Sequence, residues 1–155
     1  MTPAIESATR AGISFDIHEY DHDPQAESYG LEAAEKLKAE TEKIFKTLVI
    51  QSDKNALAVA IVPVQKTLDL KAVAAALGVK KVRMADKAQV ERTTGYFVGG
   101  VSPLGQKRRL PTLIDSSASD HELIFVSGGR RGLDISLSPK DLARLCEATL
   151  IPISR

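Results

Sequence analysis

The chain has 155 residues, 43% of them hydrophobic and 26% charged, which suits one domain with a real core and excludes a disordered chain. A single cysteine, Cys146, excludes an internal disulfide and a cysteine-built zinc site, and no apolar run reaches the roughly 18 residues of a membrane span. Net charge is only +1, but residues 1 to 45 carry ten acidic and four basic side chains, whereas residues 46 to 155 carry ten acidic and seventeen basic. The basic C-terminal two-thirds suits either an anionic partner or a solvated surface of mixed sign.

In chain order, Thr2 is placed to cap a first helix, with Pro3 in its first turn and Gly12 past its end. Nothing in Met1 to Glu6 resembles a basic leader or an apolar signal core, so a cytoplasmic protein is expected. Ile13, Phe15 and Ile17 alternate with polar residues and predict a half-buried strand. Asp21 to Ser28 reads as a loop. Leu31, Ala34 and Leu37 give the apolar spacing of a short helix over residues 31–38. Thr47 to Ile50 and Ala56 to Val62 read as a hairpin turning at Ser52-Asp53-Lys54-Asn55. Asp69 and Gly78 bracket a helix, Val82 to Met84 form a short strand, and Asp86 with Gln89 opens a helix ending near Gly95. Strands are expected at Leu113-Ile114, Leu123 to Val126 and an alternating Leu133 to Leu137. Ser138-Pro139 then opens a last helix with Leu142, Leu145 and Cys146 on one face. The fold class is α/β of the α+β type, one domain over residues 1–155. Its sheet is mixed and mostly antiparallel, with helices around it.

Two glycine-rich stretches, Thr94 to Gly105 and Ser127 to Gly132, suit either tight turns or a backbone cradle for an oxygen anion. The densest basic runs, Lys107-Arg108-Arg109 and Arg130-Arg131, lie beside them and fit a phosphate backbone or plain solvation. Lys46 sits just before the strand expected at Thr47, where its ammonium is either fixed or merely exposed. His18 and His22 have the spacing of a helical metal pair, but they span a strand end and a loop, so no metal site is expected. Ser102 is not in a nucleophile elbow, and Cys146 reads as core packing. An enzyme built from these residues must depend on positioning and backbone donors.

Taken together, Phe45-Lys46-Thr47-Leu48, Arg92 to Tyr96, Val98 to Lys107, and Val126 to Gly129 followed by Arg131 to Asp134 resemble the YbaK-like family of Cys-tRNA(Pro) deacylases. That family is related to the editing domain of bacterial prolyl-tRNA synthetases. The match runs in order from the first helix nearly to the end of the chain. The resemblance implies a curled sheet and hydrolysis of cysteine mischarged onto tRNA(Pro), without metal, cofactor or side-chain nucleophile. In the mechanism it implies, the substrate's own thiol attacks its carbonyl. Lys46 would then anchor the charged 3′ end, the loop from Gly99 to Pro103 would cradle the terminal aminoacyl-adenosine through backbone groups, and the N–H groups of Gly100 and Val101, with Lys46, would supply donors for the oxyanion. Ser102 and Pro103 complete that loop. Tyr20, Tyr29, Thr47, Ser127, Gly128 and Asp134 would line the pocket, Tyr29 standing where such proteins have phenylalanine. Lys107, Arg108, Arg109, Arg130 and Arg131 would face tRNA. Charged tRNA(Pro) and prolyl-tRNA synthetase are the expected partners of a monomer with no membrane contact. A deacylase for Ala-tRNA(Pro) or another small mischarged amino acid, and a non-catalytic tRNA- or synthetase-binding module, are the competing readings.

Overall fold

The computed structural model describes residues 1–26 and 28–155; Glu27, inside the loop expected over residues 21–28, lies outside them. Helix α1 (Pro3–Ala11) starts where the Thr2 hydroxyl accepts the Ile5 N–H at 3.3 Å. It stops at Gly12, whose φ of 71° few other residues tolerate. Strand β1 (Phe15–Glu19) follows, and here the expected alternation fails, because Ile17 is 49% exposed. β1 is an outer strand with a neighbour on one side only, so its inward side chains are incompletely covered.

Helix α2 (Tyr29–Leu37), capped by Ser28, is also turned from its expected face. Leu31 is 47% exposed, while Glu32, Ala33 and Ala34 are buried. A carboxylate takes the interior position because partners meet it there: His22 Nδ1 lies 2.7 Å from one Glu32 oxygen, and the Asp23 N–H donates to the other at 2.7 Å.

β2 (Phe45–Ser52) and β3 (Leu57–Pro63) form the expected hairpin, in the register Lys46 to Val62 and Gln51 to Leu57. The strand begins at Phe45 rather than Thr47, so Lys46 lies inside it. Helix α3 (Leu70–Leu77), strand β4 (Val82–Met84) and helix α4 (Lys87–Thr94) follow, with Asp69 and Asp86 as caps and Gly78 and Gly95 as stops. β5 (Thr112–Asp115) comes next. β6 (Ile124–Arg130) runs further than expected, straight through Ser127-Gly128-Gly129, and pairs with β7 (Leu133–Leu137) across a bulge between Ser127 and Arg130. Helix α5 (Pro139–Cys146) is capped by Ser138, and a last strand, β8 (Thr149–Ile151), has no counterpart in the sequence reading.

The strands form an antiparallel sheet β1-β7-β6 and a mixed sheet β4-β2-β3-β5-β8, in which β3-β5 and β5-β8 are parallel. A lone bridge between Ile44 and Phe125 links the two, and the curled surface does not close. On β3, Val59 and Ile61 face the cluster shared with the three-stranded sheet, α1, α4 and α5. Ala58, Ala60 and Val62 face a second cluster under α3. Burial on both faces explains the uninterrupted apolar run in this strand. Trimming Ile61 to alanine there costs about 2–5 kcal/mol.

Candidate active site

Beside the seam between the two sheets lies a cavity of about 550 Å³. Its walls come from the start of β2, the start of α2, the turn around Gly99 and the β6–β7 hairpin. Of the residues singled out in the sequence, Lys46, Thr47, Tyr20, Tyr29, Gly99, Val101, Ser127, Asp134, Arg130 and Arg131 all line it. Segments far apart in the chain therefore converge on one space. Gly30 allows that approach, since any side chain there would collide with Val64.

Lys46 Nζ donates to the Val64 carbonyl at 3.4 Å, and partial burial holds its pKa below the ordinary lysine range. The Thr47 hydroxyl is buried without a partner among the described residues. Asp134 is buried, and the loss of water pushes its carboxyl up to about 7. Tyr20 rises to about 12, first through burial and then through the neighbouring Asp134 carboxylate. Glu32, behind the wall, is pulled upward by burial, but its hydrogen bonds from His22 and Asp23 more than offset this and hold it below the usual range.

The strand predicted to alternate at Leu133 to Leu137 is buried throughout. Its polar residues lie under cover as well, Ser136 bonding His18 Nε2 at 2.8 Å, and His18 tilting on Phe125 with ring centroids 5.0 Å apart. His18 is thus engaged by Ser136 through Nε2 and His22 by Glu32 through Nδ1.

Between Gly95 and Gly105 the backbone forms a β-turn. Gly100 N–H donates to the Phe97 carbonyl at 2.9 Å, and Gly99 takes a φ of 98° at the third position, the type II pattern. The Val98 N–H is held by the Glu91 carboxylate at 2.8 Å. This corrects the donor assignment. Gly100 closes the turn and does not line the cavity, leaving Gly99 and Val101 N–H without partners among the described residues.

Four more residues are placed differently from the sequence reading. Ser102 is fully buried and builds the loop, its carbonyl accepting Gln106 Nε2 at 3.0 Å and its hydroxyl accepting the Leu104 N–H at 3.3 Å. Pro103 accepts from Cys146 Sγ at 3.5 Å and lines a smaller cavity of about 210 Å³. The Gly128 carbonyl is taken by the Thr2 hydroxyl, away from the main cavity. Arg109 joins the smaller cavity and pairs with Glu147 at 3.7 Å, while its run-mates Lys107 and Arg108 are exposed outside the main one. Sequence reasoning missed Val64, whose carbonyl holds Lys46, and Lys87 and Met84 on the cavity wall. None belongs to a motif that could have marked it.

A family model described as aminoacyl-tRNA editing domain matches residues 23–145. A protein of Enterococcus faecalis provisionally named Cys-tRNA(Pro)/Cys-tRNA(Cys) deacylase EbsC is 41% identical over 121 residues, 78% of this chain and 74% of that one. A solved structure provisionally described as a trans-editing enzyme for prolyl tRNA synthetase superposes with a TM-score of 0.87 at 24% identity, covering 100% of this chain and 99% of the other. A hypothetical protein of known structure gives 0.88 at 24% identity, covering 99% and 100%. At such identities the two structures speak for the fold. The family match and the identity to EbsC go further: this chain belongs to the aminoacyl-tRNA editing domain family.

Proposed function

We propose that the protein is a trans-editing deacylase that removes cysteine from mischarged tRNA(Pro). The observation that carries this is the composition of the cavity wall. It combines a partly desolvated lysine, an unpartnered buried hydroxyl and two residues, Gly99 and Val101, whose N–H groups have no partner among the described residues, and no histidine or cysteine lines it among the described residues. Such a wall lacks the usual activated nucleophile and offers donors to an oxygen anion.

An aminoacyl ester with its own thiol needs little more. The sulfur attacks the carbonyl carbon and the ester C–O bond breaks. The thiol proton goes to the departing ribose oxygen, and a cyclic thioester leaves. Holding the thiol near the carbonyl supplies the effective concentration, and the donors steady the developing charge. Lys46 holds the 3′ end of the tRNA. The basic residues Arg130 and Lys87 on the cavity wall suit its phosphates. The protein works in the cytoplasm as a monomer, with prolyl-tRNA synthetase as the partner that supplies the mischarged substrate. The name carried by EbsC supports the cysteine reading.

The test is single-turnover deacylation of Cys-tRNA(Pro), Ala-tRNA(Pro) and Pro-tRNA(Pro) by wild type and Lys46→Ala. Loss of cysteine alone, slowed about a hundredfold or more in the variant, is the expected result. Release of alanine at a comparable rate rules out an obligatory substrate thiol. Tight tRNA binding with every ester intact replaces the deacylase with a binding module.

A further inference from the structure

Arg131 stands beside Arg130 in the sequence but is engaged differently. Arg130 reaches back to Glu19 at 3.4 Å. Arg131 lays its guanidinium over the Tyr29 ring, 3.9 Å from the centroid, and donates from Nη2 to the Val98 carbonyl at 3.3 Å. The same group presses on Gly99: a Cβ there would lie 2.5 Å from Arg131 Nε and 2.7 Å from Tyr29 Cε2. His22 meets Tyr29 edge-on with ring centroids 5.8 Å apart, and the buried Glu32 fixes His22 at 2.7 Å. A stack therefore runs from α2 through Tyr29 and Arg131 to the turn that carries the donors.

We infer that Arg131 is a positioning residue: its guanidinium fixes the Gly99 and Val101 N–H groups relative to the Tyr29 wall of the cavity, rather than binding a tRNA phosphate. The inference rests on the deacylase reading. It also follows from what a guanidinium does and an ammonium does not. A flat, delocalised cation stacks on an aromatic face while donating sideways to a carbonyl; lysine is a point charge on a flexible stem. Tyr29 supplies only its ring face to this stack, so phenylalanine serves equally well there.

Two measurements on Arg131→Ala, Arg131→Lys and Tyr29→Phe decide it, with thermal unfolding run alongside to show that each variant is folded. In the first, amide hydrogen exchange at Val98 and Gly100, the two N–H groups that are hydrogen-bonded within the turn, is followed by NMR in the free protein. Exchange is expected to quicken about tenfold in both Arg131 variants and to stay near wild type in Tyr29→Phe. In the second, kcat and KM for Cys-tRNA(Pro) are measured across a salt series. Both Arg131 variants are expected to lose about tenfold to a hundredfold in kcat, with KM within about twofold and its salt slope unchanged. Full activity in Arg131→Lys overturns the inference. So does a salt slope in Arg131→Ala reduced by about one, which marks a phosphate contact. Should wild type release no cysteine, the functional reading falls, and the exchange rates alone decide whether Arg131 orders the turn: unchanged rates refute it.

Discussion

Residues 95–105 and residues 127–132 both combine glycines with a neighbouring basic run, and they adopt opposite solutions. The first is a loop whose polar backbone is sorted: Val98 and Gly100 N–H are used internally, and Gly99 and Val101 N–H have no partner among the described residues. The second is a strand with a bulge, where glycine makes room. A Cβ on Gly128 would lie 2.8 Å from the Leu133 side chain, and one on Gly129 2.9 Å from the Tyr96 ring. The two pack together, since a Cβ on Gly100 would lie 2.7 Å from Arg130 Cα. Similar composition thus serves donor geometry in one stretch and close packing in the other.

The sharpest test of this contrast is Gly99→Ala against Gly128→Ala. At Gly99 alanine meets a φ of 98° and the Arg131–Tyr29 stack, so deacylation is expected to fall about a hundredfold for a stability loss of about 1–2 kcal/mol. At Gly128 the loss should be about 1–3 kcal/mol of stability, with the rate per folded molecule nearly kept. Equal rate losses in the two variants, each normalised to its folded fraction, erase the distinction.

A smaller effect concerns Asp134, paired in register with Ser127. Burial raises its carboxyl to about 7, so the folded chain holds this proton more tightly than the unfolded chain, where it leaves near pH 4. Its contribution to stability is therefore full below about pH 4, declines between about 4 and 7, and is lost above. The slope is at most about 1.4 kcal/mol per pH unit. Denaturant midpoints of wild type and Asp134→Asn across that window should diverge; parallel profiles refute a proton held by burial. Least of all, replacing Lys107 and Arg108 by alanine should leave kcat intact and lower the salt slope of tRNA binding by about one per charge. An unchanged slope removes that run from the tRNA surface.

Helix ends were legible because capping is local: Thr2, Asp69, Asp86 and Ser138, with Gly12, Gly78 and Gly95, stand where the sequence places them. The hairpin was legible from its two apolar runs. Ile17 and Leu31 misled because a periodic pattern says which residues form a face but not what covers it. β8 was not legible, since three residues after an αL-capped helix carry no period. In the site, residue identities were read through family motifs, but donor assignment was not. Whether Gly100 N–H is spent on Phe97 depends on the direction of one peptide plane, which no spacing encodes.

Thr47 sits opposite Ile61 in the middle of a strongly paired hairpin, where valine would fit in size and strand preference. Its hydroxyl is instead buried without a partner among the described residues, in a residue that lines the cavity. Selection for robustness alone would favour valine here, and laboratory evolution toward heat resistance should find it early. Threonine at this position keeps a polar atom on the cavity wall that the packing of the hairpin alone does not ask for.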